Sequence, residues 1–174
     1  DQIIPLDELW TIYNRIVKKN GAMIFTSTQP FTSVLIGSNI KNFKYTWVWE
    51  KSKATGYLNA KKMPMRAHED ICIFYRKPPV YNPQMTQGDP YNKGKAHRPT
   101  DVYGKQVSTL VKNDTGLRYP RTVQYFKTAE SESKQKLFHP TQKPVALMEY
   151  LIKTYSNEGE VVLDNTMGSG TTGI

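Results

Sequence analysis

The sequence holds one cysteine, Cys72, in 174 residues, so an intramolecular disulfide is excluded and a cysteine-based zinc site lacks ligands. A lone thiol fits a reducing compartment, and the expected location is the cytoplasm. No run approaches the roughly 20 apolar residues of a membrane span, and no basic-then-apolar signal pattern opens the chain. Glycine and proline, eleven of each, stand at ordinary levels, which excludes collagen-like and linker-like chains. There is no internal repeat. Acidic residues are the scarcer charge: 15 Asp and Glu face 24 Lys and Arg, a net charge of +9. That surplus suits a polyanionic partner, although solubility alone also accounts for it. The chain begins with Asp1 and stops at Gly173-Ile174, directly after a glycine-rich turn, and a fragment is therefore expected.

Regular structure is legible at both ends. Pro5, Asp7 and Glu8 precede Leu9, Ile12, Tyr13, Ile16 and Val17 at helical spacing, and Lys18, Lys19, Asn20 and Gly21 close that helix. Ala22 to Phe25 reads as a short buried strand. Pro30 opens a second helical stretch through Phe31, Val34, Leu35 and Ile36. Tyr45 to Trp49 and Asp70 to Tyr75 are β-rich, with Trp47 and Trp49 alternating toward the core. Between these strands a polar loop is expected, carrying Lys51, Lys53, Lys61, Lys62 and Arg66. From Pro78 to Phe138 no sustained period of either kind appears, which predicts irregular structure. Regularity returns with Thr141 as N-cap, Pro144 in the first turn, and Val145, Met148, Leu151, Ile152 and Tyr155 on one helical face.

After the turn at Asn157 to Gly159, Val161-Val162-Leu163 reads as an apolar strand ending in Asp164, followed by Asn165-Thr166-Met167-Gly168-Ser169-Gly170-Thr171-Thr172-Gly173. Helix, strand, glycine turn and helix start is the order of a parallel α/β sheet, whose ligand-binding residues cluster at the carboxyl ends of the strands. Glycines at 168, 170 and 173 let a ligand approach the backbone and turn N–H groups toward anionic atoms. A phosphate-cradling P-loop is disfavoured, because no Gly-Lys-Ser/Thr follows. A purely structural strand-to-helix turn would look the same.

His139-Pro140-Thr141-Gln142-Lys143-Pro144, the helix behind it, and Asp164 through Gly173 together resemble the DNA amino-methyltransferases of the β motif order, as motif X followed by motif I. The resemblance runs upstream: Leu9 through Thr28 is similar to motifs V and VI, Tyr45 to Glu50 to the next strand, and His68-Glu69 through Tyr75 to motifs VII and VIII. It implies an α/β, Rossmann-like S-adenosylmethionine-dependent methyltransferase fold, incomplete, with an irregular basic insertion. Residues 1–77 would be part of the catalytic domain, 78–138 the target-recognition region and 139–174 the cofactor-binding part. It further implies transfer of a methyl group from S-adenosylmethionine to the exocyclic amino group of adenine, or less commonly cytosine, in double-stranded DNA. The cofactor residues would be His139, Pro140, Thr141, Gln142, Lys143, Pro144, Asp164, Asn165, Thr166, Met167, Gly168, Ser169, Gly170, Thr171 and Thr172. DNA contacts would fall to Lys93, Lys95, Arg98, Lys105, Lys112, Arg118 and Arg121, interleaved with Tyr91, Tyr103, Tyr119 and Tyr125.

Two departures bear on that reading. Asn165 and Thr166 stand where the family often has Pro and Phe. The family's Asp/Asn/Ser-Pro-Pro-Tyr/Phe catalytic motif does not occur in the chain, so no residue here takes the catalytic role and the chain alone is expected to be inactive. That motif is expected before residue 1, and the acidic residue for the cofactor ribose beyond Ile174. The family strand bearing the catalytic motif lies between the motif I and motif VI strands, which implies a gap in the sheet and low stability for the isolated chain. No metal is expected, and His68 and Glu69 are expected to make structural hydrogen bonds near the base pocket. Two other readings remain: a nicotinamide-dependent oxidoreductase built on the Gly168-x-Gly170-x-x-Gly173 match, and a non-enzymatic DNA-binding module using the basic middle segment alone.

Overall fold

The computed structural model describes residues 4–95, 110–133, 139 and 141–174. They form two compact units, one comprising residues up to Asn82 together with Arg121–Ile174, the other Pro83–Pro120. In chain order the first unit opens with α1 (Leu6–Ile16), β1 (Met23–Ser27), α2 (Phe31–Ser38), β2 (Phe43–Thr55), a 3-10 turn (Tyr57–Asn59) and β3 (Arg66–Phe74). The second unit is made of β4 (Thr86–Gln87), β5 (Tyr91–Lys95), β6 (Leu110–Asn113) and β7 (Leu117–Arg118). The chain then returns to the first unit with β8 (Val123–Phe126), α3 (Ala129–Glu132) and α4 (Val145–Tyr155), and closes in a 3-10 turn at Thr171–Gly173.

The main sheet has the order β1-β3-β2-β8, with β3 antiparallel to both neighbours and β8 parallel to β2. Side-chain alternation along β3 organises both layers of core. Ile71 and Ile73 face Trp47, Trp49, Leu147, Leu151 and Tyr155, so α4 covers one face. Cys72 and Phe74 face Trp10, Tyr13, Met23 and Leu35, so α1 and α2 cover the other. The two tryptophans of β2 are core residues, as their spacing predicts. Helix α1 turns the predicted Leu9, Tyr13 and Val17 to the core together with Trp10, which the sequence reading left out, while the predicted Ile12 and Ile16 are exposed. Trp10 donates its indole N–H to Ser38 Oγ at 2.8 Å and packs within 5.4 Å of Phe25 and 5.0 Å of Phe74, ring to ring.

Four expectations are corrected. Val161 to Leu163 is not a strand; Val161 and Leu163 are 95% and 64% exposed. Extended backbone becomes a strand only beside a partner with free N–H and C=O groups, and none lies alongside it among the described residues. The outer edge of β1 likewise has no strand partner among them, as a gapped sheet implies. Secondly, β2 and β3 extend well past the predicted limits, so Lys51, Lys53, Arg66, His68 and Glu69 belong to strands and the true connection is Gly56–Met65. Thirdly, the described residues between Pro78 and Phe138 form five short strands and a helical turn, and β8 joins the main sheet. Strands of two to five residues are too short to display a period. Fourthly, α4 starts at Val145 with Pro144 as its cap position, and Thr141 does not cap it. The Glu132 carboxylate does: Oε2 accepts from Val145 N at 2.7 Å and Oε1 from Ala146 N at 2.9 Å.

In the second unit β4 pairs with β7 and β5 with β6, both antiparallel. Gly116 is obligatory there. Its φ is +74°, and an added Cβ would stand 2.0 Å from Gly88 O.

Candidate functional site

The site is built from two loops that lie almost thirty residues apart in sequence. The 164–173 segment is a compact turn organised by Asp164, whose Oδ1 accepts from Thr166 N at 3.0 Å and Oδ2 from Thr172 Oγ1 at 2.5 Å. Gly170 N donates to Met167 O at 2.8 Å, and Ser169 Oγ lies 3.2 Å from Thr171 Oγ1. Gly168 and Gly170 both hold positive φ, +54° and +80°, which any larger residue resists. Asn165 is used structurally: its Oδ1 accepts from Tyr13 Oη at 3.2 Å, tying the turn to α1 across 152 positions of sequence.

The second loop is the approach to α4. His139 Nδ1 lies 3.2 Å from Thr141 N and 3.0 Å from Thr141 Oγ1, and Gln142 N donates to His139 O at 3.1 Å. The loops meet at Gly168, where an added Cβ would lie 3.9 Å from His139 Cγ. Of the sequence-predicted cofactor residues, His139, Thr141 and the 164–172 turn are thus brought to one place; Pro140 lies outside the described residues. Lys143 points elsewhere. Its Nζ is 2.7 Å from Glu69 Oε2 and 5.6 Å from the Trp49 ring centre, and the other Glu69 oxygen faces Lys51 Nζ at 3.5 Å.

Around Gly168 the turn carries the small, hydroxyl-bearing residues Ser169, Thr171 and Thr172, with Asp164 holding it in shape rather than standing free. Cys72 offers no nucleophile: it is wholly buried, and burial pushes its thiol up. Behind α4, Tyr155 Oη accepts from Trp47 Nε1 at 2.7 Å and meets Tyr45 Oη at 2.8 Å, and burial pushes this hydroxyl far up from its ordinary value. These tyrosines support the sheet rather than the chemistry.

A family profile described as DNA methylase, of the N6/N4 methyltransferases, matches residues 5–174. The chain belongs to this family. Among relatives, the chain is 35% identical over 161 residues to the Type II methyltransferase M.HpaI of Haemophilus parainfluenzae, covering 90% of this chain and 46% of that protein. It is 25% identical over 190 residues to the Type II methyltransferase M.HindIII of Haemophilus influenzae, covering 91% and 56%. The chain therefore spans about half the length of these curated relatives. Among solved structures, the M1.HpyAVI complex with SAM matches with a TM-score of 0.61 and 26% identity, over 99% of this chain and 70% of that one. The PvuII DNA methyltransferase, cytosine-N4-specific, matches with a TM-score of 0.65 at 14% identity, over 97% and 59%, which is a likeness of fold. The Rossmann-like methyltransferase fold inferred from the motifs is the one present.

The DNA methylase chain carries its other predicted residues in varied settings. Within the second unit, Arg118 donates to Asp89 O at 2.7 Å and stacks 4.7 Å from the Tyr91 ring, with Lys93 Nζ 5.3 Å from the same ring. Lys112 pairs with Asp114 at 2.8 Å. Lys95 is exposed on β5. Arg121 belongs to the first unit, just before β8. Arg98 and Lys105, with Tyr103, lie outside the described residues. Sequence reasoning missed the roles of Glu132, Tyr13 and Lys51. All three depend on tertiary contact, and Thr141 stood in the sequence as the apparent cap in place of Glu132. Among the described residues, no helix is long and apolar enough to cross a membrane.

Proposed function

We propose that this chain is the motif V-to-I portion of a cytoplasmic DNA methyltransferase, of the kind that accompanies restriction nucleases. It takes S-adenosylmethionine against the 164–172 turn and His139 to Pro144, and serves methylation of the exocyclic amino group of adenine in double-stranded DNA, with cytosine the less favoured base. The observation that carries this is the approach of Gly168 to His139, which joins the two motif-bearing loops at a polar turn open to a ligand. The residues fit the group: the positive-φ glycines admit close backbone approach, and Ser169 and Thr172, held in a turn shaped by Asp164, provide hydroxyls for its polar amino-acid end. When bound, that cofactor supplies an electrophilic methyl group on a sulfonium.

An exocyclic amine is a weak nucleophile because its lone pair is delocalised into the ring, so the enzyme must accept its hydrogen bonds and align it with the methyl carbon. That task falls to the Pro-Pro motif, which this chain does not contain; its residues position cofactor and DNA. The unit Pro83–Pro120 and the adjoining segments, residues 78–138 in all, act as the target-recognition region. There Lys93, Lys95, Arg98, Lys105, Lys112, Arg118 and Arg121 meet phosphates, and the tyrosines meet bases. The test is to titrate this chain, and the polypeptide that contains it at full length, with S-adenosylmethionine and assay methyl transfer to mixed-sequence duplex DNA. Transfer by the full-length protein, none by this chain, is the expected result. A full-length protein that neither binds the cofactor nor modifies DNA would refute the reading.

A further inference from the structure

We propose that Glu69 is a positioning residue for the cofactor loop: its carboxylate holds Lys143, and through it the 139–144 segment, at the edge of the sheet. This rests on the cofactor reading above. Glu69 sits in β3 opposite Trp49 of β2, one residue before the stretch from Asp70 to Phe74 that is paired on both sides, and this anchors its backbone. One oxygen accepts from Lys143 Nζ at 2.7 Å; the other faces Lys51 Nζ at 3.5 Å, with the Glu69 and Lys51 side chains 17% and 7% exposed. A largely desolvated ammonium needs a counter-charge, so the Lys51 ammonium fixes the Glu69 carboxylate in place. That arrangement leaves the second oxygen committed to Lys143, whose other side is closed by the Trp49 ring.

The geometry then transmits the tether to the loop. Lys143 precedes Pro144, which is fully buried at the start of α4, and the amides of Val145 and Ala146 are held by Glu132. Two carboxylates thus fix the junction of loop and helix, while His139 at the other end of the loop faces Gly168. A charge-assisted hydrogen bond of this kind orients as well as attracts. Removing it at Glu69 frees the loop without changing any residue of the 139–144 segment.

The full-length protein is compared with its Glu69→Gln, Glu69→Asp and Lys143→Met forms and the Glu69→Gln/Lys143→Met double variant. Cofactor affinity is read by calorimetry, duplex affinity by titration, and hydrogen exchange is followed over residues 139–146. Lys143→Met leaves the Glu69–Lys51 pair intact, so it reports even where Glu69→Gln fails to fold. Glu69→Gln and Lys143→Met should each weaken S-adenosylmethionine binding about tenfold. Both should speed exchange over 139–146 and leave duplex affinity unchanged; the double variant should be no weaker than the worse single, and Glu69→Asp should recover part of the loss. Unchanged cofactor affinity in both single variants, additive losses, or a parallel fall in DNA affinity and melting temperature would overturn the proposal. Failure of the wild-type protein to bind the cofactor would instead overturn the cofactor reading, and the role of Glu69 with it.

Discussion

Tyr150 illustrates how one hydroxyl can work against the fold that buries it. Its ring packs edge-on against Trp47 and Phe126, with centroids 5.9 and 5.4 Å away, but its hydroxyl is buried with no hydrogen-bond partner among the described residues. A buried, unpartnered polar atom forfeits its hydration without return. Tyr150→Phe should therefore stabilise the protein by about 1 kcal/mol, seen as a higher urea midpoint with unchanged slope. Burial also pushes this hydroxyl up to about 12. A group whose folded pKa lies above its unfolded value of about 10 contributes its stability fully below pH 10 and loses it as pH rises toward 12. Wild-type stability should thus fall between pH 10 and 12, and Tyr150→Phe should flatten part of that fall; parallel pH profiles for the two proteins would refute the assignment.

At the scale of elements, α4 depends on a cap borrowed from another helix. Glu132→Ala leaves the first amides of α4 without their acceptors and should cost about 1 kcal/mol in a urea melt. The second unit depends on Gly116, and Gly116→Ala drives a methyl group into Gly88 O. That change should separate β4 from β7 and lower affinity for duplex DNA, while the near-ultraviolet signal of Trp10, Trp47 and Trp49 in the first unit stays as it was. These two elements also mark where sequence reading stopped. Long periodic segments such as α1 and α4 and the tryptophan alternation in β2 were legible, because period and burial coincide. Motif order paired the 164–173 turn with the 139–144 loop, and the two do approach each other at Gly168 and His139. On α1 the edges of the stripe were misjudged, because Ile12 and Ile16 fit a helical period with Tyr13 as well as Trp10 does, and only packing against Phe25 and Phe74 chooses Trp10. Neither Glu132 nor Glu69 could be assigned, since each acts on residues 13 or 74 positions away.

At the scale of the whole molecule, the main sheet ends in two edge strands among the described residues, β1 and β8. Strand β8 covers the far edge of β2, whereas the outer edge of β1 has no strand beside it among the described residues. The apolar trio Val161 to Leu163, which reads as a strand, is extended and solvated. Unpaired edges and exposed apolar residues lower the free-energy gap to partly opened states, because backbone groups gain nothing from remaining in register. Stability within this chain should therefore be graded outward from β3. In native-state hydrogen exchange, the amides of Ile71 to Phe74, paired on both sides and wholly buried, should exchange only through global unfolding. Those of Val161 to Leu163 should exchange at close to the rate of an unstructured peptide. The expected global stability lies below the usual 5–15 kcal/mol of a native domain, and a urea melt read by tryptophan fluorescence measures it. Strong protection at 161–163 would mean that this segment finds a strand partner in solution, and the open edge of β1 would then be the first place to look for it.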